Sequence, residues 1–263
     1  MKNIFFLPII FLWLSSVVWG EMIALPPFPK YTISTIETFN QLSREKIWKE
    51  TYVFNTGIQA GRKFLLINVK GEGKYGGSPN FTRWIVNNYY YADPYIQPYY
   101  SKKDIFSDRG VLNEVQTIYY DQGNKMVYFT RDDRKAKKTT LKTLDYKNDI
   151  LDRYIYAVAL QSYPFEQKRD LHFHYLSDDP TIYSFVFSYA GKETLDLPFG
   201  SYHAYKLKLK VDLGALEIVN GLLPDNYFWI SDTDPPMFIK YSGLESGLGS
   251  PMVIMQLTEK PRH

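Results

Sequence analysis

Apolar and polar residues alternate most regularly between residues 181 and 212. In the first part, the segment T-I-Y-S-F-V-F-S-Y carries Tyr or Phe at every second position. In the second part, the segment Y-K-L-K-L-K-V-D alternates apolar residues with lysines at 206, 208 and 210. Because successive side chains of a strand point to opposite faces, this pattern predicts two strands with a turn over residues 191–200. The second strand is expected to pack its apolar face inside and to expose its charged face to water.

The same alternation, interrupted by turn residues, continues through most of the chain and predicts roughly ten to twelve strands. The clearest pair outside the central hairpin is Trp48–Phe54 with Phe64–Val69. One segment, Asp149–Leu160, has apolar residues at helical spacing. The predicted fold is therefore mainly β: a single curved antiparallel sheet or open half-barrel, with one or two helices packed on its concave face.

The N-terminus has the pattern of a secretory signal peptide over residues 1–20. A positively charged start precedes an apolar run from Ile4 to Val18, and small residues at 18 and 20 predict cleavage after Gly20. The alternative is an uncleaved N-terminal anchor. Residues 21–45 begin with L-P-P-F-P and are expected to form an extended leader. Residues 46–259 then form a single β-rich domain.

The chain contains no cysteine. This excludes disulfides, thiol chemistry and the acylated cysteine of a lipoprotein. An exported chain without disulfides suits the periplasm or surface of a Gram-negative bacterium better than a eukaryotic secretory route. The predicted location is therefore periplasmic or otherwise exported.

Aromatic residues are the unusual feature of the composition. The 263 residues include 23 Tyr and 17 Phe, whereas the formal net charge of +3 is too small to predict binding to nucleic acid. Aromatic side chains favour strands and half-buried surfaces. Residues 84–100 are densest in tyrosine and include Pro94 and Pro98. We expect a strand followed by an irregular crossing, which either covers the sheet edge, offers a stacking surface for sugars or forms a lip over an apolar cavity.

Two parts of the sequence carry a family resemblance. The early part, from residue 46, is K-I-W-K-E-T-Y-V-F-N-T-G-I-Q-A-G-R-K-F-L-L-I-N-V. The later part includes D-I-L-D-R-Y-I-Y-A-V-A-L, then G-K-E-T-L-D-L-P-F-G-S-Y-H-A-Y-K-L and W-I-S-D. In this order the motifs resemble an uncharacterised bacterial envelope family, catalogued as domain of unknown function 3108, over about residues 46–258.

The resemblance implies a periplasmic β-sheet domain, similar in fold to the open half-barrel of lipoprotein carriers. It brings no established catalytic residues. The chain departs from some relatives in its tyrosine-dense segment and in its lack of a lipoprotein cysteine. The first departure leaves a shared ligand open, and the second argues against anchoring by acylation.

Few residues suit catalysis or metal binding. No Gly-x-Ser-x-Gly motif is present. His172 and His174 share one strand face, and His203 lies in the central hairpin; with Asp178 or Asp179 they offer part of a metal site. Alternatively, His172 and His174 face solvent. No further histidine-rich or cysteine-containing element supplies the missing ligands. We therefore predict no catalytic residues, no metal, no cofactor and no enzymatic activity.

The best candidate for a binding site is the apolar face of the central hairpin. If the sheet curves without closing, this face lines a concave surface of the kind that holds lipids or other hydrophobic ligands. Alternatively, it packs against the predicted helix as a dry core. The residues are Tyr183, Phe185, Phe187, Tyr205, Leu207 and Leu209.

Three classes of function fit the sequence. The first is a periplasmic binding or carrier domain for a hydrophobic envelope component, with envelope proteins as further partners. In this class the charge run at 131–138 allows peripheral contact with the anionic lipid headgroups of a membrane or with polysaccharide; alternatively, it forms a solvated loop. The second is an integral outer-membrane β-barrel, which requires the lysines at 206, 208 and 210 to line a lumen. The third is an enzyme that acts on polysaccharide through residues 84–100. The pattern favours the first class.

Overall fold

The structure, a computed structural model, describes residues 33–262 except 75–79, 93–94, 213–223 and 247–248. The predicted signal peptide and the first part of the predicted leader lie outside the described residues. Within the described part of the chain, no helix is long and apolar enough to cross a membrane.

The described residues form one sheet of fifteen strands, so the predicted count of ten to twelve is wrong. The strands are β1 Ile33–Asn40, β2 Lys46–Gln59, β3 Arg62–Gly73, β4 Thr82–Ala92, β5 Ile96–Ser107, β6 Leu112–Asp121, β7 Met126–Asp133, β8 Lys138–Asp145, β9 Ile150–Asp152, β10 Leu171–Leu176, β11 Ile182–Leu197, β12 Gly200–Asp212, β13 Asn226–Ser231, β14 Phe238–Leu244 and β15 Met252–Leu257.

Neighbouring strands follow the chain order, except where the first strand pairs with the last. The order is β8-β7-β6-β5-β4-β3-β2-β1-β15-β14-β13-β12-β11-β10-β9, and every pair is antiparallel except β9 with β10. Strand β1 lies within the predicted leader and pairs with β2 and β15. Among the described residues, the sheet therefore begins at residue 33, ahead of the predicted domain boundary.

The two edge strands of this open sheet lie close together. Strands β8 and β9 stand at opposite ends of the order, yet only residues 146–149 join them. A small core holds the edges against each other, with side chains from β6, β7, β9, β10 and the connection: Tyr120, Val127, Tyr146, Ile150 and Leu176. The sheet therefore curls until its edges face each other across a seam. The prediction of a mainly β, open sheet is confirmed.

Two of the strands that the sequence did not reveal, β8 and β9, are exposed or short. Strand β8 is exposed at six of its eight positions, so its pattern is typical of a loop. Strand β9 has only three residues. Strand β8 is held by its pairing with β7, and β9 by its pairing with β10, so backbone pairing and not an apolar pattern defines both strands.

The predicted helix over Asp149–Leu160 is wrong in its extent. Residues 150–152 form β9, the α-helix α1 covers only Tyr156–Ala159, and a 3-10 turn follows over Leu160–Ser162. The Asp152 carboxylate accepts hydrogen bonds from the backbone N–H groups of Tyr154 and Ile155, at 2.9 and 3.3 Å, and so forms a turn where the predicted helix would continue. We call residues 153–163 the plug, because they pack inside the curled sheet.

The central hairpin forms as predicted, but its turn is shorter. Strand β11 continues to Leu197, so the turn is confined to residues 198–199 rather than 191–200. Gly191 has a φ of +125° and lies at a register shift, where it allows a bulge within a continuing strand. The tyrosine-dense segment also differs from expectation, since the described residues of β4 and β5 pair along most of their length with one register shift, in place of the predicted irregular crossing.

Candidate functional site

The six predicted binding residues lie on the inner face of β11 and β12, and their burial changes along the hairpin. Phe187 and Leu207 are fully buried, and Tyr205 is 9% exposed. Phe185 and Leu209 are half-buried against the main core. Tyr183, at the end of the face, is 41% exposed. The apolar surface therefore extends from the core to solvent.

Aromatic rings from three strands pack together on this face. Phe173 is stacked on Phe187, with ring centres 5.2 Å apart and planes 8° apart. Tyr175 is stacked on Phe185 at 4.9 Å, and Phe187 meets Phe228 edge-on at 5.1 Å. Offset and edge-on arrangements of this kind stabilise aromatic clusters beyond the area that they bury. We call Phe173, Tyr175, Phe185, Phe187 and Phe228 the aromatic cluster.

Tyr205 is at the other end of the hairpin, apart from this cluster. Its ring is stacked on Phe165 at 4.0 Å, and the ammonium of Lys192 lies 4.2 Å from the ring centre. The structure therefore places all six predicted residues on one face, but Tyr205 is covered separately by the chain that follows the plug.

The plug fills most of the space inside the sheet. Its Tyr156 is half-buried and meets Phe228 and Tyr175 edge-on, at 5.3 and 6.1 Å. A cavity of about 30 Å³ remains between the plug and β1, β2, β14 and β15, and a second of about 20 Å³ lies near β5, β6 and β10. Each volume admits one or two water molecules. The residues that line the larger cavity are Ser34, Ile36, Tyr52, Phe54, Arg153, Tyr154, Tyr156, Ala157, Val158, Gln161, Phe238 and Met255.

A buried glutamate, which the sequence analysis missed, fixes the start of the plug. Glu50 is fully buried and accepts hydrogen bonds from Trp84 Nε1 at 3.0 Å and from the Tyr52 hydroxyl at 3.1 Å. The Arg153 guanidinium lies 3.4 Å from the same carboxylate and 5.7 Å from the centre of the Trp48 ring. An ion pair with several hydrogen-bond partners is the form in which a buried charge is tolerated.

A second group of polar residues joins the two sides of the seam. The Tyr90 hydroxyl, from β4, donates to both oxygens of Asp152, at 2.8 and 2.9 Å. Burial raises the pKa of Asp152 to about 6, against the opposing effect of these hydrogen bonds. Lys103, from β5, is nearly buried and lies 3.3 Å from the Asp178 carboxylate. We call Glu50, Lys103, Asp152, Arg153 and Asp178 the ionic cluster.

The sequence did contain a signal for part of this cluster. Glu50 stands in phase with the inward-facing residues Trp48, Tyr52 and Phe54, and Lys103 stands in phase with the inward-facing Ser101. A charged residue at an inward position of a strand indicates a buried polar partner. Its partners could not be identified, because Arg153 is about a hundred residues away from Glu50.

The histidines that the sequence analysis considered for metal binding have other neighbours. His174 Nδ1 lies 2.7 Å from the Asp149 carboxylate, and His203 Nδ1 lies 3.0 Å from the Thr194 hydroxyl. His172 is exposed on β10. Among the residues that the structure describes, no three His, Asp or Glu side chains are grouped in a way that could hold a metal ion.

Comparison with known proteins places the chain in a family. Residues 50–256 match the family described as "Protein of unknown function (DUF3108)". The chain belongs to this family. The expectation from the early and late motifs is thereby confirmed, and the match includes β11, β12 and the plug.

No curated protein matches the chain. Among solved structures, it is similar to the hypothetical lipoprotein YmcC from Escherichia coli (K12), with 10% sequence identity, 89% of this chain and 87% of that chain covered, and a TM-score of 0.29. At that score the likeness carries no argument about fold or ligand.

Proposed function

We propose that the protein is an exported, non-catalytic envelope protein that binds a hydrophobic component of the cell envelope, such as a lipid, on the inner face of β10–β13. The observation that carries this proposal is the aromatic cluster, which continues from buried Phe187 through half-buried Phe185 towards exposed Tyr183. A concave apolar surface that reaches solvent is the usual lining of a site for hydrophobic ligands. The predicted signal peptide supports the location.

Ligand binding requires the plug to move, because the cavities beside it hold only water-sized volumes. The plug is suited to such movement. Its helix α1 has four residues and no side-chain hydrogen bond at its N-cap, and a helix of that length has almost no stability of its own. Its position depends on packing, including the contacts of Tyr156 with Phe228 and Tyr175. An acyl chain in the place of Tyr156 replaces these contacts with equivalent apolar ones.

Native mass spectrometry of the mature protein, purified from a periplasmic extract without detergent, tests the proposal. We expect a stoichiometric adduct of lipid size on the wild type. The Phe185→Asp variant should lose the adduct, because the half-buried ring lies between the core and the exposed end of the face. A matched control is Leu141→Asp, since Leu141 is 75% exposed on the outer face of β8.

Both variants should keep the circular dichroism spectrum of the wild type, which separates loss of binding from loss of folding. A wild-type protein that carries no adduct and takes up no added fatty acid would contradict the proposal. Equal retention of the adduct by Phe185→Asp and Leu141→Asp would place the ligand elsewhere and contradict it as well.

A further inference from the structure

The outer face of β4–β7 carries a row of exposed tyrosines that the proposed function does not use. One tyrosine on each of these four consecutive strands is exposed by about two-fifths: Tyr89 at 38%, Tyr99 at 39%, Tyr119 at 42% and Tyr128 at 41%. Tyr91 and Tyr100 lie beside them, half-buried. We call Tyr89, Tyr91, Tyr99, Tyr100, Tyr119 and Tyr128 the tyrosine platform.

The rings of the platform are contiguous across the strands. The ring centre of Tyr99 lies 5.1 Å from that of Tyr91 and 5.8 Å from that of Tyr119, and Tyr119 lies 6.4 Å from Tyr128. Tyr89 and Tyr100, one strand apart, lie 6.1 Å from each other. The register shift between β4 and β5 allows both Tyr99 and Tyr100 to face outwards, because a bulge adds one residue to a strand.

A row of hydrogen-bonding side chains runs beside the platform. On β4–β7, each residue of this row lies two positions along its strand from a residue of the tyrosine platform, and so its side chain is on the same outer face. On β3, the residue of the row lies two positions from Leu66, which is also on the outer face. The Asn68 side chain donates to the Asn87 side chain at 2.6 Å, which orients both amides. The row, in which each residue is paired with the next across the sheet, is Asn68, Asn87, Lys102, Thr117 and Thr130.

In the other half of the sheet, charged side chains cover the aromatic rings of the outer face. Tyr227 and Trp229 on β13 are covered by lysines: Lys206 lies 4.4 Å from the centre of the Tyr227 ring, and Lys240 lies 4.8 Å from that of Trp229. Such cation–π contacts occupy the ring faces. On β4–β7 the half-buried Tyr91 also has such a contact, with the Arg62 guanidinium 3.5 Å from its ring centre, whereas the more exposed rings of this outer face are those of Tyr89, Tyr99, Tyr119 and Tyr128.

The charge of this surface identifies the class of ligand. In the platform and the row beside it, the charged side chain is Lys102, whose ammonium lies 2.9 Å from the Asp104 carboxylate. A nucleic acid or an anionic membrane is bound through several unneutralised Lys or Arg residues. At its border, the Arg62 guanidinium lies 3.5 Å from the centre of the Tyr91 ring and the Asp121 carboxylate stands near Tyr119, so these two charges are of opposite sign. A surface with few charges that combines aromatic faces with amide and hydroxyl groups is complementary to an uncharged, polyhydroxylated chain.

We propose that the tyrosine platform binds a neutral polysaccharide that runs across β4–β7. The apolar faces of successive sugar rings pack on the rings of Tyr99, Tyr119 and Tyr128. The sugar hydroxyl groups exchange hydrogen bonds with the side chains of Asn87 and Thr117, which replace their bonds to water. Binding is additive along the row, so longer oligosaccharides bind more tightly than short ones.

Isothermal titration calorimetry with chitohexaose, cellohexaose and their disaccharides tests the proposal. We expect at least one hexasaccharide to bind, and to bind more tightly than its disaccharide. The triple variant Tyr99→Ala/Tyr119→Ala/Tyr128→Ala should weaken binding by roughly tenfold or more, because each ring contributes a stacking contact. The matched control is Phe81→Ala, whose aromatic ring is equally exposed at 42% and lies outside the platform and the proposed hydrophobic site.

A second variant separates the loss of rings from damage to the strands. Tyr99→Phe/Tyr119→Phe/Tyr128→Phe retains the rings and should bind within about threefold of the wild type, because stacking is preserved. If the alanine variant does not fold, the single change Tyr128→Ala should still weaken binding measurably. Failure of both hexasaccharides to bind, or equal binding by the wild type and a folded alanine variant, would overturn the proposal. It would also be overturned if the platform bound vesicles of anionic phospholipid and no oligosaccharide.

Discussion

The two halves of the sheet contribute to one apolar core, but buried charges stand on one side of it and the aromatic cluster on the other. On the side of β2–β5, Glu50 and Lys103 point inwards and meet Arg153 of the plug and Asp178 across the seam. On the side of β10–β13, the interior is formed by the rings of the aromatic cluster. Both halves contribute apolar side chains to one core, including Trp48, Leu65 and Trp84 on the first side, and they differ in the buried charges that the first side adds to it.

This difference gives the two sides of the core different structural roles. Buried ions tolerate few arrangements, because each must keep its partner and its hydrogen bonds. The ionic cluster therefore fixes the start of the plug and the position of the seam. Apolar packing is less demanding in direction, and an aromatic surface can exchange one apolar partner for another. Under the proposed function, the aromatic half is thus the half in which the ligand replaces part of the plug.

The largest effect is expected from truncating the centre of the aromatic cluster. Phe187→Ala should lower the free energy of unfolding by about 4 kcal/mol, because a buried ring that packs on Phe173 and Phe228 is lost and a cavity is left. Urea unfolding, followed by circular dichroism, measures this change. The loss should be nearly independent of pH and salt. A loss below about 1 kcal/mol, well under the usual range for a buried ring, would show that this half is not tightly packed.

Glu50→Gln tests the ionic half. The change keeps the shape of the side chain but removes the charge beside Arg153, and we expect a loss of about 3 kcal/mol because a buried ion pair is broken from one side. The control is Glu72→Gln, whose partner Arg83 is 3.7 Å away with both side chains more than half exposed. That exposed pair should contribute no more than about 0.5 kcal/mol. Equal losses in the two variants would mean that the buried pair has no special role.

The raised pKa of Asp152, in the ionic cluster, predicts that the free energy of unfolding depends on pH. Its pKa is raised from 3.8 to about 6 in the folded protein, so between these values the folded state retains a proton that the unfolded chain releases. The contribution of Asp152 to stability is therefore full below about pH 4, declines as the pH rises to about 6, and is absent above that.

The size of this decline is roughly 2–3 kcal/mol, since each unit of pKa shift corresponds to about 1.4 kcal/mol. Urea unfolding of the wild type and of Asp152→Asn, from pH 4 to pH 7, isolates it. As the pH rises from 4 to 7, the free energy of unfolding of the wild type should fall relative to that of Asp152→Asn. A constant difference would show that the pKa of Asp152 is not raised.

The smallest effect is expected at the surface of the aromatic half. Lys192 and Asp232 form an exposed ion pair at 2.8 Å, and Asp232→Asn should cost less than about 1 kcal/mol. The loss should become smaller in 1 M salt, because exposed charges are screened. Thermal unfolding at low and high salt measures it. A loss as large as that of Glu50→Gln would remove the distinction between buried and exposed ion pairs in this protein.

Much of the fold followed from local patterns, and the rest depended on contacts that are distant in the chain. Alternation was enough to predict β2, β3, β11 and β12, and to place Phe187 and Leu207 on the same inner face. The extent of the plug was missed, because the hydrogen bonds of Asp152 to the backbone interrupt a sequence with helical spacing.

The sequence predicted the strands β11 and β12 that carry the candidate site, but not the residues that cover it. The plug that covers it, the seam and the ionic cluster arise when β8 and β9 come together, and no local pattern predicts that closure. The tyrosine platform was visible as a dense composition over residues 84–100, but two of its tyrosines, Tyr119 and Tyr128, come from β6 and β7 and join the row only through strand pairing. The composition thus indicated a tyrosine-rich surface, and the strand pairing determined which tyrosines lie side by side.

The most direct test of the central claim is to map where a hydrophobic ligand lies. A fatty acid with a photoreactive group on its acyl chain, bound to the mature protein and cross-linked by light, labels the peptides that it contacts, which mass spectrometry then identifies. We expect labelling of β11 and β12 near Phe185 and Leu209, and of the plug near Tyr156, with competition by unlabelled fatty acid. Labelling confined to the peptides of Glu50 and Lys103, or to the outer face of β4–β7, would contradict the assignment of the ligand to the aromatic half.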